Sequence, residues 1–408
     1  MTRELLTGNA AAAWGARLAE VDYVPAYPIT PQTEIIEDLA RWIAEGRMAA
    51  RLVTMDSEHS MLTAAGAAAA TGARVFTATS SQGLLYAFEM LYSVAGWRVP
   101  LVLVNVSRAV AAPITLEPDH NDVLAARDAG FLQFHAETCQ EVLDSVLMAY
   151  RLAEHRDVLL PVLVNLDGFY LSFTREPVEL PALEAVREFL PGYDPAHARF
   201  SAAHAMAQGV AVLGGSAYAF FRYQMQRAAE EALAVHDGVA AEFRDRFGRF
   251  YGAVEEFHLD DAEWVIVMSN SFSTVGKAEV VRLRARGEKI GLLRLRMIRP
   301  FPHAEIAKCL AGRRAVAVID QNLSVGKGGI LFSEIASALQ GQPAPPLRSF
   351  VGGLGGRRFR SEEFDQIVAA LRDAEVTGGS PLPHLLYSED EYRQIVATLR
   401  TAGHQMES

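Results

Sequence analysis

Cysteine is nearly missing from the 408 residues: Cys139 and Cys309 are the only two, far apart and without CxxC spacing. A cysteine-ligated iron–sulfur cluster takes about four thiolates, so this chain alone cannot hold one. Long apolar runs are missing too. No stretch of about 18 uncharged apolar residues occurs, which excludes a membrane-spanning helix. The start, "MTRELLTGNAAAAWGARLAEV", lacks a basic segment followed by a continuous apolar core and a cleavage site. Its apolar residues fall on a helical period instead, which predicts no signal peptide and a cytoplasmic protein. Positive charge is also in deficit. The formal net charge is −11, and no Lys/Arg cluster interleaves with aromatics, which argues against a nucleic-acid groove. Lysine itself occurs only at Lys277, Lys289, Lys308 and Lys327, a bias from which nothing follows.

What is present is an ordinary globular composition, half of it hydrophobic, in a chain longer than one usual domain. Two domains are therefore expected. In the first half, strand-like runs ("VDYVPAY", "RVFTATSS", "PLVLVNVSR", "VLLPVLVNLDGFYLS") alternate with amphipathic stretches such as "PQTEIIEDLARWIAEG" and "CQEVLDSVLMAYRLAEHR". That alternation predicts an α/β fold of parallel strands with crossover helices on both faces. The ligand side of such a sheet is its carboxyl edge, where "YPIT", "TSSQG" and "NVSRAVAAPI" all fall. From about 175 to 260 the pattern breaks into a proline-punctuated linker and connecting helices. A second βα array starts near Trp264, placing a boundary near 255.

Several short segments carry chemistry, each beside a plainer reading. In "AYPITPQTEIIEDL", Thr30 precedes a proline and then Glu34 and Glu37, the pattern of a helix start. The same turn would hold its hydroxyl and the helix amides over any ligand there. Glu58 in "MDSEHSM" reads as a helix-start acid, yet an apolar setting suits it to bonding a heterocyclic nitrogen with a shifted pKa. "TATSSQG" can expose amides to an anion but is neither GxGxxG nor GxxxxGK(S/T). Arg108 ends the most apolar strand and is either a carboxylate clamp or a surface ion pair. Asp119, His120 and Asp122 form a metal cluster or a loop-to-helix cap, and the cap is the simpler reading. "SVGKGGIL" and "GGLGGRRF" indicate close backbone approach.

Taken in order, "YPITPQTEI", "DSEHSMLTAAGAAAATGARVFTATSSQGL", "DHNDVLAARDAGFLQ", "FGRFY", "GLLRLRMIRPFP" and "GLGGR" resemble the α subunit of 2-oxoacid:acceptor oxidoreductases, of which pyruvate:ferredoxin oxidoreductase is the best-known member. The resemblance spans about residues 5 to 370. It implies a thiamine-diphosphate pyrimidine-binding domain at 1–235, a helical linker at 236–258, a transketolase C-terminal-like domain at 259–375 and a C-terminal helical extension at 376–408. It implies oxidative decarboxylation of a 2-oxoacid to acyl-CoA and carbon dioxide, with coenzyme A as co-substrate. By the family pattern Glu58 bonds the pyrimidine nitrogen, Thr30 and Arg108 take the substrate carboxylate, and Tyr27, Pro28 and Ser81 line the pocket. No GDG…N metal–diphosphate motif occurs here. The resemblance therefore assigns Mg2+ and the diphosphate contacts to a β subunit. It assigns 4Fe–4S clusters to partner subunits, among them γ and a ferredoxin-like δ, with ferredoxin or an NAD-linked flavin subunit as acceptor. Where pyruvate enzymes carry Ile-Trp-Gly-Asp, this chain reads Leu116-Glu117-Pro118-Asp119, and Arg358 replaces an acid after Gly-Gly-Arg. Pyruvate, phenylglyoxylate, indolepyruvate, a branched-chain 2-oxoacid and oxalate thus remain open as substrates. The rival readings are a non-redox transketolase-type enzyme and a non-catalytic structural subunit.

Overall fold

The computed structural model describes residues 2–195, 199–203 and 205–403. Among them, strands and helices alternate as the hydrophobic periods require, and the strands collect into two main sheets. The first sheet runs, in spatial order, Arg51–Thr54, Tyr23–Ala26, Phe76–Thr79, Val102–Ser107, Val162–Asp167, Leu132–His135 and Met297–Arg299. A single parallel bridge from Tyr23 to Val75 joins the first two strands to the others. Every pairing is parallel except that of Met297–Arg299. Val102–Ser107 and Val162–Asp167 are buried along their whole length, which is why both read as continuous apolar runs. The alanine-rich start forms the helix Gly8–Leu18, which packs on Cys139–Ala153. The approach is close: a Cβ on Gly15 would lie 2.7 Å from that of Val146.

The second sheet runs Ser380–Leu385, Leu347–Val351, Ala315–Asp320, Trp264–Ser269, Ile290–Leu295 and Val254–Phe257, with only the last pair antiparallel. Three expectations are corrected here. The connecting helices expected from Phe220 are one helix, Gly215–Phe247, because no proline interrupts it and Gly248, at a positive φ, ends it. The stretch 236–258 expected as a helical linker finishes that helix and then supplies Val254–Phe257 to the second sheet. The C-terminal stretch expected to be helical opens with an edge strand, Ser380–Leu385, before the helix Glu389–Thr401. Its six residues, "SPLPHL", include two prolines and show no apolar–polar alternation, so it does not stand out until a partner strand, Leu347–Val351, pairs with it. The proline-punctuated segment is ordered as well: Arg175–Leu180 pairs antiparallel with Thr2–Thr7, and Leu183–Phe189 is helical. Its residues 196–198 lie outside the described residues.

Two polar seams tie the sheets together. The chain leaves the second sheet at Leu295 and enters the first at Met297, so Arg296 sits at the crossing and is 1% exposed. Its guanidinium donates to Glu141 at 2.8 Å and to Ser145 at 2.9 Å, and lies 4.6 Å from the centre of the Phe134 ring. Arg294 shares Glu141 at 3.1 Å and also reaches Glu255 at 2.6 Å. At the carboxyl edge, His120 pairs with Asp167 at 2.9 Å, both fully buried. Asp167 in turn accepts from Asn270 and from the Ser271 amide and hydroxyl, across the seam.

Burial alone would lower the His120 pKa, but Asp167 outweighs it and the net shift from 6.5 is upward. Burial would raise Asp167, and His120 with its donors reverses that, so it falls below 3.8. The histidine's stabilisation is therefore complete below pH 6.5 and lost as pH rises through its raised folded value; the aspartate's is complete above 3.8 and lost as pH falls through its lowered one. Thermal unfolding midpoints should decline on the alkaline side in the native chain. The His120→Asn variant should be less stable at pH 6 and show a flatter alkaline decline; unchanged curves would remove the pair from the stability balance.

Candidate functional site

The loops after Tyr23–Ala26, Arg51–Thr54, Phe76–Thr79 and Val102–Ser107 meet at the carboxyl edge of the first sheet. After Ala26 the backbone is tied twice. Gln32 Nε2 donates to the Tyr27 carbonyl at 2.9 Å, and Asn9 Nδ2 donates to the Pro31 carbonyl at 2.8 Å. The helix consequently begins at Thr33 with Gln32 before it, so Thr30 does not cap it, contrary to the reading from local sequence. Thr30 is exposed, and its hydroxyl has no partner among the described residues. Its carbonyl accepts from Arg108 Nη1 at 2.7 Å, which brings Thr30 and Arg108 together.

The "SSQG" turn is held from beneath by Asp122. This buried carboxylate accepts from the Ser81 amide at 3.1 Å, Asn105 Nδ2 at 3.0 Å, the Arg108 amide at 3.3 Å, Ser107 Oγ at 2.6 Å and the Val123 amide at 2.7 Å. Burial raises its pKa while these donors favour the charged form. The network holds Ser81 at φ +46°, in the left-handed region, a conformation costing about 1–3 kcal/mol outside glycine. Such outliers persist where surrounding structure over-determines them. Ser81 Oγ lies 2.7 Å from Gln82 Oε1 and 3.1 Å from the Ala109 carbonyl. The same Gln82 oxygen accepts from Arg108 Nη2. Burial pulls the Arg108 pKa down and Asp122 partly restores it, but a guanidinium stays cationic throughout.

Glu58 opens the helix Glu58–Ala70 behind the N-cap Ser57, whose hydroxyl accepts from the Ser60 amide. Its side chain is 6% exposed and has no hydrogen-bond partner among the described residues. It lies over Gly83: a Cβ there would be 2.5 Å from Glu58 Oε1 and 2.6 Å from Thr79 Oγ1. The glycine of "SSQG" is thus required by the glutamate. Gly83→Ala should displace Glu58 and lower turnover about 100-fold, the scale of a 1 Å misplacement, in a chain that still folds. Unchanged turnover in that variant would mean that the glutamate's position does not matter.

The structure therefore gathers Thr30, Arg108, Ser81 and Glu58 on one edge, with half-buried Tyr27 beside them; Pro28 is exposed and makes no polar contact there. Asp119 accepts from the Asn121 amide at 3.0 Å, but the residue before the helix Asn121–Ala125 is His120, which makes no side-chain cap bond, and Asp122 serves the turn instead, so the cap expected here is not formed. No cluster of metal-ligating side chains occurs among the described residues. The sequence singles out neither Gln82 nor Gly83, and it offers Asp122 as a metal ligand or cap rather than as the support of this turn. All three lay within quoted motifs, but only the fold sets them against Arg108 and Glu58. Around this corner Thr79 Oγ1, Ser80 Oγ, Gln82 Nε2 and Arg108 Nε are buried and unpartnered. A bound polar group would satisfy them, and an uncommitted carboxylate beside them suits a ring nitrogen.

The fold is that of an α/β chain with two main sheets, and its first part matches a thiamine-diphosphate-binding family. Residues 14–241 match the family described as pyruvate flavodoxin/ferredoxin oxidoreductase, thiamine diphosphate-binding, and residues 262–364 match pyruvate:ferredoxin oxidoreductase core domain II. The chain is 42% identical to pyruvate synthase subunit PorA of Methanocaldococcus jannaschii over 91% of its own length and 95% of that protein's. It is 41% identical to ketoisovalerate oxidoreductase subunit VorA of Pyrococcus abyssi, over 92% and 95%. In fold it is similar to the 2-oxoglutarate:ferredoxin oxidoreductase from Magnetococcus marinus, with a TM-score of 0.70 at 19% identity, over 90% of this chain and 65% of that one. A split-gene transketolase gives a TM-score of 0.54 at 13% identity, over 91% and 98%. The chain belongs to the pyruvate:ferredoxin oxidoreductase family, and it is a chain of an oxidoreductase acting on 2-oxoacids. No helix among its described residues is long and apolar enough to cross a membrane.

Proposed function

We propose that this chain is the α subunit of a cytoplasmic 2-oxoacid:acceptor oxidoreductase complex that converts pyruvate and coenzyme A to acetyl-CoA and carbon dioxide. The observation that carries the reading is the corner around Gly83, where an unpartnered carboxylate, a guanidinium and four unpartnered buried polar atoms adjoin. Glu58 would hold the pyrimidine nitrogen of thiamine diphosphate, and Tyr27, Pro28 and Ser81 would line that end. When bound, the cofactor supplies the carbanion chemistry and the electron sink that no side chain provides. The protein's own groups bind and orient. Arg108, fixed by the Thr30 carbonyl and Gln82, offers its remaining N–H groups to the substrate carboxylate, and the free Thr30 hydroxyl adds a hydrogen bond. Residues 1–235 form the pyrimidine-binding domain and 259–375 the transketolase C-terminal-like one, to whose sheet Val254–Phe257 adds a strand.

The rest of the site belongs to partners in this reading. A β subunit brings Mg2+ and the diphosphate contacts, and γ and δ subunits bring 4Fe–4S clusters and the path to ferredoxin or an NAD-linked flavin subunit. Both cysteines here are buried, and burial raises both thiols. A second reading, a branched-chain 2-oxoacid as substrate, is favoured by the 41% identity to a ketoisovalerate enzyme subunit. The deciding experiment isolates the native complex anaerobically through this chain. Viologen reduction is then followed with coenzyme A and pyruvate, 2-oxoisovalerate, phenylglyoxylate, indolepyruvate or oxalate. The fastest acid names the substrate. A complex without iron, sulfide or thiamine diphosphate would overturn the proposal.

A further inference from the structure

We propose that Gln82 is a substrate-binding and positioning residue: its amide oxygen orients the Arg108 guanidinium, and its amide nitrogen donates to an oxygen of the 2-oxoacid. The proposal rests on the reading of Arg108 given above.

The orientation of the amide follows from elementary chemistry. A guanidinium has donors only, so the Gln82 atom facing Arg108 Nη2 is the oxygen. The Ser81 hydroxyl, 2.7 Å from the same oxygen, can donate to it and is compatible with that choice. Gln82 Nε2 then points the other way, buried and without a partner. An unpaired buried donor costs about 1–3 kcal/mol, so a position that retains one calls for an acceptor. Arg108 is in the same state. Its Nη1 donates to the Thr30 carbonyl at 2.7 Å, while Nε is buried and unpartnered. The two residues follow adjacent strands, paired from Phe76 with Val102 through Thr79 with Asn105. Donors on neighbouring residues, one cationic and one neutral, fit a ligand with a charged and an uncharged oxygen on adjacent carbons. The carboxylate and 2-oxo group of a 2-oxoacid have that pattern. Neutrality at position 82 matters equally, because a carboxylate there would neutralise Arg108 and offer no N–H.

The test uses the assembled complex carrying Gln82→Glu or Gln82→Ala, beside Arg108→Ala. Turnover is measured with pyruvate and with 2-oxoisovalerate. Binding of oxamate, a non-reacting carboxylate, is measured by calorimetry. Gln82→Glu should raise KM and the oxamate Kd at least tenfold with thiamine diphosphate affinity unchanged. Its thermal midpoint should not fall, since the new carboxylate pairs with Arg108; that separates the role from a structural one. If Gln82→Glu fails to assemble, Gln82→Ala carries the test, with the same tenfold expectation. Unchanged KM and oxamate binding in the Gln82 variants, with both lost in Arg108→Ala, overturns this inference and leaves the site reading standing. No effect in Arg108→Ala either overturns both. A drop in thiamine diphosphate affinity with oxamate binding intact assigns Gln82 to the cofactor and also overturns the proposal.

Discussion

Replacing Glu58 with glutamine is expected to lower 2-oxoacid-dependent dye reduction about 10²- to 10⁴-fold, the range for losing a positioned acid–base group, in a complex that still assembles. The fold should survive because the carboxylate makes no hydrogen bond within the described chain. It contributes only the modest charge–dipole stabilisation of an acid in a helix's first turn, about 0.3–1 kcal/mol. Glutamine keeps the volume over Gly83, so packing there is unchanged and only the acid–base property is removed. Measuring dye reduction and thermal midpoint together separates the two effects. Near-normal turnover would remove Glu58 from the mechanism and favour the non-catalytic structural reading. An iron and sulfide assay on the same preparation addresses the other rival, since a transketolase-type enzyme needs neither.

The second large effect is on stability. Arg296→Ala should destabilise the chain by about 3–5 kcal/mol, because it breaks a buried ion pair and strips the packing over Phe134. Arg294 still partners Glu141 in the variant, which places the expected loss toward the lower end. The ring of Tyr251, 5.4 Å from the Arg296 guanidinium, loses its cover as well. Arg296→Lys keeps the charge but not the planar fork that serves Glu141 and Ser145 at once, and should recover part of the loss. Chemical denaturation of the native chain and both variants checks this. A change below about 1 kcal/mol in Arg296→Ala would mean that the sheets are held together elsewhere.

How far the sequence carried can be judged from particular segments. The β-rich apolar runs around Val104 and Val164 read as strands of a sheet covered on both faces, and they are buried strands along their whole length. "YPIT" and "SSQG" sit at strand-to-loop junctions, just past the ends of the strands Tyr23–Ala26 and Phe76–Thr79. The Thr30 turn failed as a helix start because two side-chain amides, Gln32 within the quoted pattern and Asn9 from a separate helix, hold the backbone in another path. The edge strand Ser380–Leu385 was missed because its identity depends on a partner's hydrogen bonds.

The sequence by itself determined the α/β class and the family. It also determined the absence of any cysteine set for a cluster, since periodicity, motif order and residue counts are local or additive properties. Only the tertiary structure decided that Glu58 rests on Gly83, that Gln82 turns its oxygen to Arg108, and that Asp122 holds Ser81 at a positive φ. Those relations span tens of residues, and they arise only when parallel strands bring separate loops to one edge of a sheet.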